Sequence, residues 1–240
     1  PNSHITIISS KKNLTYIKTF SYVDKVINLN NSFFGKIILF LKLIKFNFKY
    51  IIIHDDKSRS KLISFFLRSS LKINIDSSKI SHIEIIKDIL KKMNFKFFKS
   101  SLDIFDNSKK KISLTKKIIQ FHFDEKWIFK DYSKGFTKIE PTELEFITFI
   151  KKIAQMNNNV IITSSYKLPL ILEKTKPKLI NLGINLYENF SFSQLQKITS
   201  KSNLLISCHG AISHVAAAYN VKQIDIIDKP YDYNKWTDHF

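Results

Sequence analysis

One pattern governs what this chain can fold into. Short runs rich in Ile, Val and Leu recur along nearly its whole length, and segments with helical spacing of apolar residues separate several of them. The runs are HITIISS (4–10), KVINL (25–29), KYIIIH (49–54), LKINI (71–75), KKIIQFHF (116–123), NVIITSS (159–165), KLINL (178–182), NLLIS (203–207) and QIDIID (223–228). Each has strand length and β-branched character, which predicts a strand. Between them, EPTELEFITFIKKIAQM sets Leu144, Ile147, Ile150, Ile153 and Ala154 on one helical face, with Pro141 suited to the first turn. SFSQLQKITSKS reads as another helix, with Ser193 and Gln196 at capping-box spacing. Strands and helices alternating at this spacing predict an α/β fold, parallel sheets covered by helices.

A polar, basic stretch, DNSKKKISLTKK (106–117), interrupts the alternation and reads as a linker. It divides the chain into residues 1–108 and 113–240, two open-sheet domains facing a cleft. With 240 residues, 44% of them hydrophobic, the chain can bury one substantial core or two modest ones. No fixed-period repeat is present.

A net charge of +19 points to polyanionic partners: nucleic acid, anionic lipid or phosphorylated substrates. Only two of the 39 basic residues are arginine, Arg59 and Arg68, whereas nucleic-acid readers lean on arginine forks. Nucleic acid is therefore disfavoured. Lys, Ile, Asn and Phe are also inflated throughout, as an AT-rich genome would produce, so part of the charge needs no partner. The single cysteine, Cys208, excludes a disulfide framework and any cysteine-based zinc module, and a reducing, cytoplasmic setting is expected. No run of about 18 uncharged apolar residues occurs, and PNSHITIISS lacks the regions of a signal peptide, so a soluble protein is expected. The stretch FFGKIILFLKLIKF (33–46) is the most hydrophobic helix-like segment, interrupted by Lys36, Lys42 and Lys45. Such a basic amphipathic helix can lie in a membrane interface. Packing on the sheet with the lysines turned outward is the preferred reading.

Three clusters carry candidate chemistry. In SCHGAISHVAAAYNV (207–221), His209 and His214 are five apart, whereas ligands on one helical face want three or four, and no carboxylate stands beside them to complete a coordination sphere. No metal site is expected. Cys208 ends an apolar strand, where a thiol is buried and inert. G-x-G-x-x-G and the phosphate-binding P-loop are both absent from a chain with four glycines, which disfavours nicotinamide dinucleotides and P-loop ATP hydrolysis. What remains is a strand, a Gly210-Ala211 turn and a helix of small residues. That arrangement aims free N–H groups and a positive dipole end at the carboxyl edge of a sheet, where phosphorylated ligands bind. Ser213 can cap or donate there, and His214 lies in the first turn. A plain strand-to-helix turn with a satisfied histidine is the competing reading.

The second cluster, IIQFHFDEKWIFKDY (118–132), follows a strand end at His122 or Phe123 with a loop carrying Lys126, which is either a point charge for a diphosphate or a solvated lysine. The third, IIIHDDKSRSKLISFFLR (51–68), delivers His54, Asp55 and Asp56 to a strand end and opens a helix with Lys57, Ser58, Arg59 and Ser60. Arg59 and Ser60 at a helix N-terminus suit an acceptor phosphate or carboxylate. Asp55 or Asp56 is a general base or an N-cap.

Taken in order, His-x-(acidic)-Lys-Trp after a strand, a long helix, a strand ending Thr163-Ser164-Ser165 and then S-H-V-A-A-A resemble glycosyltransferase family 9, the lipopolysaccharide heptosyltransferases. PNSHITIISSKKNLTYIKTFSYVDKVINL and KYIIIHDDKSRSKL resemble that family's first half, so the likeness covers nearly the whole chain. It implies a GT-B architecture: two Rossmann-like domains, an acceptor-side domain over 1–108 and a donor-nucleotide domain over 113–240. It also implies inverting, metal-independent transfer without a cofactor, from a nucleotide sugar to a lipid-linked glycan, peripherally at the cytoplasmic face of the inner membrane. Lys126 matches the lysine near the donor phosphates, and Ser213 and His214 match the end of the donor motif. His209, Gly210 and Ala211 fall where the family has Asp, Ser or Thr, and Gly, so the acid expected at the donor sugar is replaced. Asp55, Arg59 and Ser60 fall on the acceptor side. The family's first strand, Gly-Asp loop and first helix would precede Pro1, and its closing helices would follow Phe240. On that reading the catalytic base lies outside this chain, which should bind a nucleotide better than it turns over sugar.

Overall fold

The structure is a computed structural model, and it describes residues 3–30, 32–54, 57–75, 81–97, 117–123, 141–156, 158–164, 167–227 and 237. The chain divides into two compact units, Pro1–Phe97 and Phe98–Phe240. Most of the proposed linker lies outside the described residues; only Lys117, its last residue, falls within a described strand.

The second unit holds β5 (Lys117–Phe123), α5 (Glu143–Gln155), β6 (Asn158–Ser164), α6 (Leu170–Asn181), β7 (Asn185–Tyr187), α7 (Phe192–Thr199), β8 (Leu204–Cys208), α8 (Ala211–Ala218) and β9 (Lys222–Ile226). Its five strands form one sheet in the order β7-β6-β5-β8-β9, all parallel. One face of that sheet packs under α5 and α6: Phe121 and Phe123 of β5 and Val160 and Ile162 of β6 meet Phe146, Ile150, Leu172 and Leu179. The other face carries α7 and α8, where Leu205 packs with Leu195, Ile212, Val215 and Ala216. Fully burying an Ile or Leu here stabilises the unit by about 2–3 kcal/mol each.

Three sequence expectations change. KLINL is not a strand but the last turn of α6, because Leu172, Thr175 and Leu179 form a buried helical stripe that continues past Pro177. That helix ends where Gly183 takes φ 71° and Ile184 N–H donates back to the Leu179 carbonyl at 3.0 Å, and the strand β7 follows. The capping box of α7 is Ser191 with Gln194, two residues before the expected pair. In α5, Thr142 and Glu145 form the box, so Pro141 precedes the cap; Leu144 is exposed and Phe146 takes the buried place.

The first unit holds β1 (Thr6–Ser9), α1 (Lys11–Ile17), β2 (Lys25–Asn28), α2 (Phe33–Leu43), β3 (Asn47–Ile53), α3 (Ser58–Phe65), β4 (Arg68–Asn74) and α4 (His82–Lys92). Its strands form two separate parallel pairs, β1 with β2 and β3 with β4. In α2, Leu39 and Leu43 pack inward as expected. On its outward side Phe33, Phe34, Ile38 and Leu41 are exposed as well. Among the described residues, no helix is long and apolar enough to cross a membrane.

Candidate functional site

In the second unit the strand order reverses between β5 and β8: chain connections run outward through β6 and β7 on one side and through β9 on the other. Ligands of open α/β sheets bind outside the carboxyl ends of the strands at such a reversal. The residues delivered to that edge are His122 and Phe123 from β5 and Cys208, His209 and Gly210 from β8.

The β8 turn is fixed from within. Gly210 N-caps α8, and its N–H donates to Ser213 Oγ at 3.3 Å. Ser213 is fully buried and donates in turn to Asp225 Oδ1 at 2.6 Å. The other carboxylate oxygen of Asp225 lies 3.1 Å from His209 Nδ1, and the Asp225 side chain is only 1% exposed. A buried carboxylate thus holds both ends of the turn. The rings of His209 and His214 meet edge to face at 5.3 Å. At the far end of α8, Asn220 at φ 51° lets Val221 N–H donate to the Ala216 carbonyl at 2.8 Å, which closes the helix. The buried Val215 and Ala216 let α8 approach the sheet closely.

Beneath the turn runs a row of polar residues in register across all five strands: Tyr187, Thr163, His122, Ser207 and Asp225. His122 Nδ1 lies 3.0 Å from Thr163 Oγ1, and burial lowers its pKa to about 4, so the ring is neutral. One step further from the edge, the fully buried Gln120 donates to Thr163 Oγ1 and accepts from Thr199 Oγ1 and Ser202 Oγ. Ser207 Oγ is buried without a hydrogen-bond partner among the described residues. Among the described residues no group of three or more His, Cys, Asp or Glu is placed to hold a metal ion.

The candidate residues from sequence fall into three sets. His209, Gly210, Ala211, Ser213 and His214 come together at the β8 turn, with Ser213 turned inward to Asp225. Arg59 and Ser60 lie in the first turn of α3, in the other unit. Lys126 and Asp55 lie outside the described residues, and Lys126 follows the end of β5 by three positions in sequence. Sequence reasoning missed Asp225. The signal was present in QIDIID, where an acid alternates with isoleucines inside a strand, a position from which Asp is normally depleted.

The fold is α/β with parallel sheets, and it matches GT-B glycosyltransferase and sugar-nucleotide epimerase structures. The family 9 glycosyl transferase of Veillonella parvula is similar at a TM-score of 0.67 and 13% identity, over 94% of this chain and 72% of that one. The E. coli heptosyltransferase WaaC with ADP is similar at 0.69 and 12%, over 94% and 78%. A UDP-N-acetylglucosamine 2-epimerase is similar at 0.60 and 12%, over 96% and 72%. Neither a family model nor a curated protein sequence matches the chain.

Proposed function

We propose that this protein is an inverting, metal-independent glycosyltransferase that takes a heptose or related sugar from a nucleotide-sugar donor and passes it to a lipopolysaccharide or surface-glycan acceptor. The observation that carries this reading is the β8 turn, set at the strand reversal at the N-terminus of α8 and held in shape by Asp225. WaaC, solved with ADP and with ADP-2-deoxy-2-fluoro heptose, supports a nucleotide sugar as the ligand class.

Each residue then has a chemical task. The N–H groups of Ala211 and Ile212 in the first turn of α8 have no intrahelical acceptor and favour a diphosphate. Lys126 and His214 offset the charge that grows on the leaving diphosphate, which removes the need for a metal or cofactor. His209 stands where the resemblance places an acid toward the donor sugar. Its Nδ1 is directed at Asp225, which fixes the orientation of the ring at the turn. A general base, a carboxylate on the resemblance, takes the proton from the acceptor hydroxyl. Asp225 does not serve, since it is buried and committed to His209 and Ser213. Arg59 and Ser60 on α3, with Asp55 before it, form the acceptor side of the reading.

A thermal-shift screen of nucleotide sugars, followed by calorimetry with the best ligand, tests the assignment. Lys126→Ala is expected to weaken nucleoside-diphosphate binding by about tenfold or more. Unchanged affinity would sink the role of Lys126, and loss of transfer in chelator would sink the metal-free mechanism. Release of an epimerised sugar without acceptor would favour the epimerase chemistry that shares this fold. Binding that follows salt steeply and ignores sugar nucleotides would mark a non-catalytic polyanion binder instead.

A further inference from the structure

Helix α2 is apolar on two opposite sides. Leu39 and Leu43 are 3% and 2% exposed, packed with Leu67, Ile27 and Phe48. Across the helix, Phe33, Phe34, Ile37, Ile38 and Leu41 are 40–76% exposed. Phe33, Ile37 and Leu41 recur every four residues, so they form one stripe. A helix that is hydrophobic all round is ordinarily buried all round, and a contiguous exposed apolar patch marks an interaction surface. The patch continues through Phe40 to Phe66 and Phe65, whose ring centroids are 6.0 and 5.2 Å apart in turn. It also borders a groove of about 840 Å³ shared by β2 and α2, where Ile38, Leu41 and Ile44 lie with Lys25, Lys42 and Lys45.

Charge selects the occupant. Between Asp24 and Asp55 the sequence holds five lysines (25, 36, 42, 45 and 49) and no carboxylate. A second copy joined by a two-fold contact would set the same lysines against these, and the repulsion disfavours it. An anionic bilayer satisfies both chemistries, taking the apolar stripe below its headgroups and the lysines at its phosphates. We propose that α2, with the end of α3, docks the protein flat on an anionic lipid surface, with Phe33, Phe34, Ile37, Ile38 and Leu41 inserted and Lys42 and Lys45 at the headgroups. The surface stands on the first unit alone and does not depend on the transferase reading.

Co-sedimentation of the full chain with vesicles of phosphatidylglycerol and phosphatidylcholine, against pure phosphatidylcholine, tests it. Binding is expected to be about tenfold tighter or more with the anionic lipid, and to weaken about tenfold with Lys42→Gln and Lys45→Gln together. Phe34→Ser with Leu41→Ser should abolish it while circular dichroism stays unchanged, since both side chains are exposed. Tryptophan placed by Phe34→Trp should be quenched by brominated lipid tails. Equal binding to neutral vesicles, binding that survives Phe34→Ser with Leu41→Ser, or an unquenched tryptophan would overturn the proposal. So would a dimer in solution that those two serines dissociate.

Discussion

The two units are written in the same alternating pattern yet finish differently. In the first unit β1 pairs with β2 and β3 with β4 as two separate sheets, whereas the second unit gathers its strands into one sheet, β7-β6-β5-β8-β9. In the second unit β5 joins the two halves; among the described residues of the first unit no strand does. The consequence shows in burial. Among the described residues the second unit has eighteen buried apolar residues and six exposed large ones, whereas the first has seven and sixteen. Parallel strands depend on cover over both faces, and a two-stranded pair is marginal by itself. The difference teaches that strand patterning specifies local pairing, while stability comes from the central strand that lets a core close over both faces.

The largest effect expected from this contrast is in hydrogen exchange. Amides of β5, β6 and β8 should exchange about a thousandfold more slowly than those of β1 and β2; equal protection would break the comparison. Next comes core truncation. Leu172→Ala, at a fully buried site, should cost about 3–4 kcal/mol in chemical denaturation, whereas Leu41→Ala, at 54% exposure, should cost less than about 0.5. A small loss at Leu172 would mean that the second core is looser than its packing.

Acid provides a third probe. Burial lowers the His122 pKa to about 4, against about 6.5 in the unfolded chain. The unfolded state therefore binds the proton first as pH falls, and stability should decline between about pH 6.5 and pH 4 by about 3 kcal/mol. His122→Gln should flatten that stretch of the pH curve, and a curve unchanged by the substitution would remove His122 as its cause. Asp225→Ala should follow at about 2 kcal/mol, because it strands the buried Ser213 hydroxyl and the His209 ring. If the turn binds a nucleotide as proposed, the substitution should also weaken that binding, measured by calorimetry. Ser207→Ala is the smallest, neutral or stabilising by up to about 1 kcal/mol in a melting experiment, because that hydroxyl has no partner among the described residues to lose.

Most strands were readable because β-branched runs of the right length leave few alternatives, and β1 through β6, β8 and β9 overlap the runs that predicted them. KLINL has the short apolar run of a strand, yet the buried stripe of α6 carries the helix past Pro177 and through that run. The correct signal was Gly183, the residue suited to the positive φ that ends α6. Ser191 and Ser193 both precede a glutamine by three positions, and only packing distinguishes the cap at Ser191 from the spacing at Ser193. At the candidate site, the turn and its helix were legible as a local pattern. Asp225 was not, because its partners lie 12 and 16 residues earlier and only the β8–β9 register brings them together.

That register carries a consequence for how the protein becomes competent during synthesis. The strand β8, the turn and α8 all leave the ribosome before β9, yet the carboxylate that latches the turn rides on β9. A nascent chain halted at Val221 would contain four strands of the sheet and every candidate residue of the turn, without the latch. On the proposed reading, nucleotide binding would therefore arise abruptly as the last strand pairs, rather than grow as the sheet does.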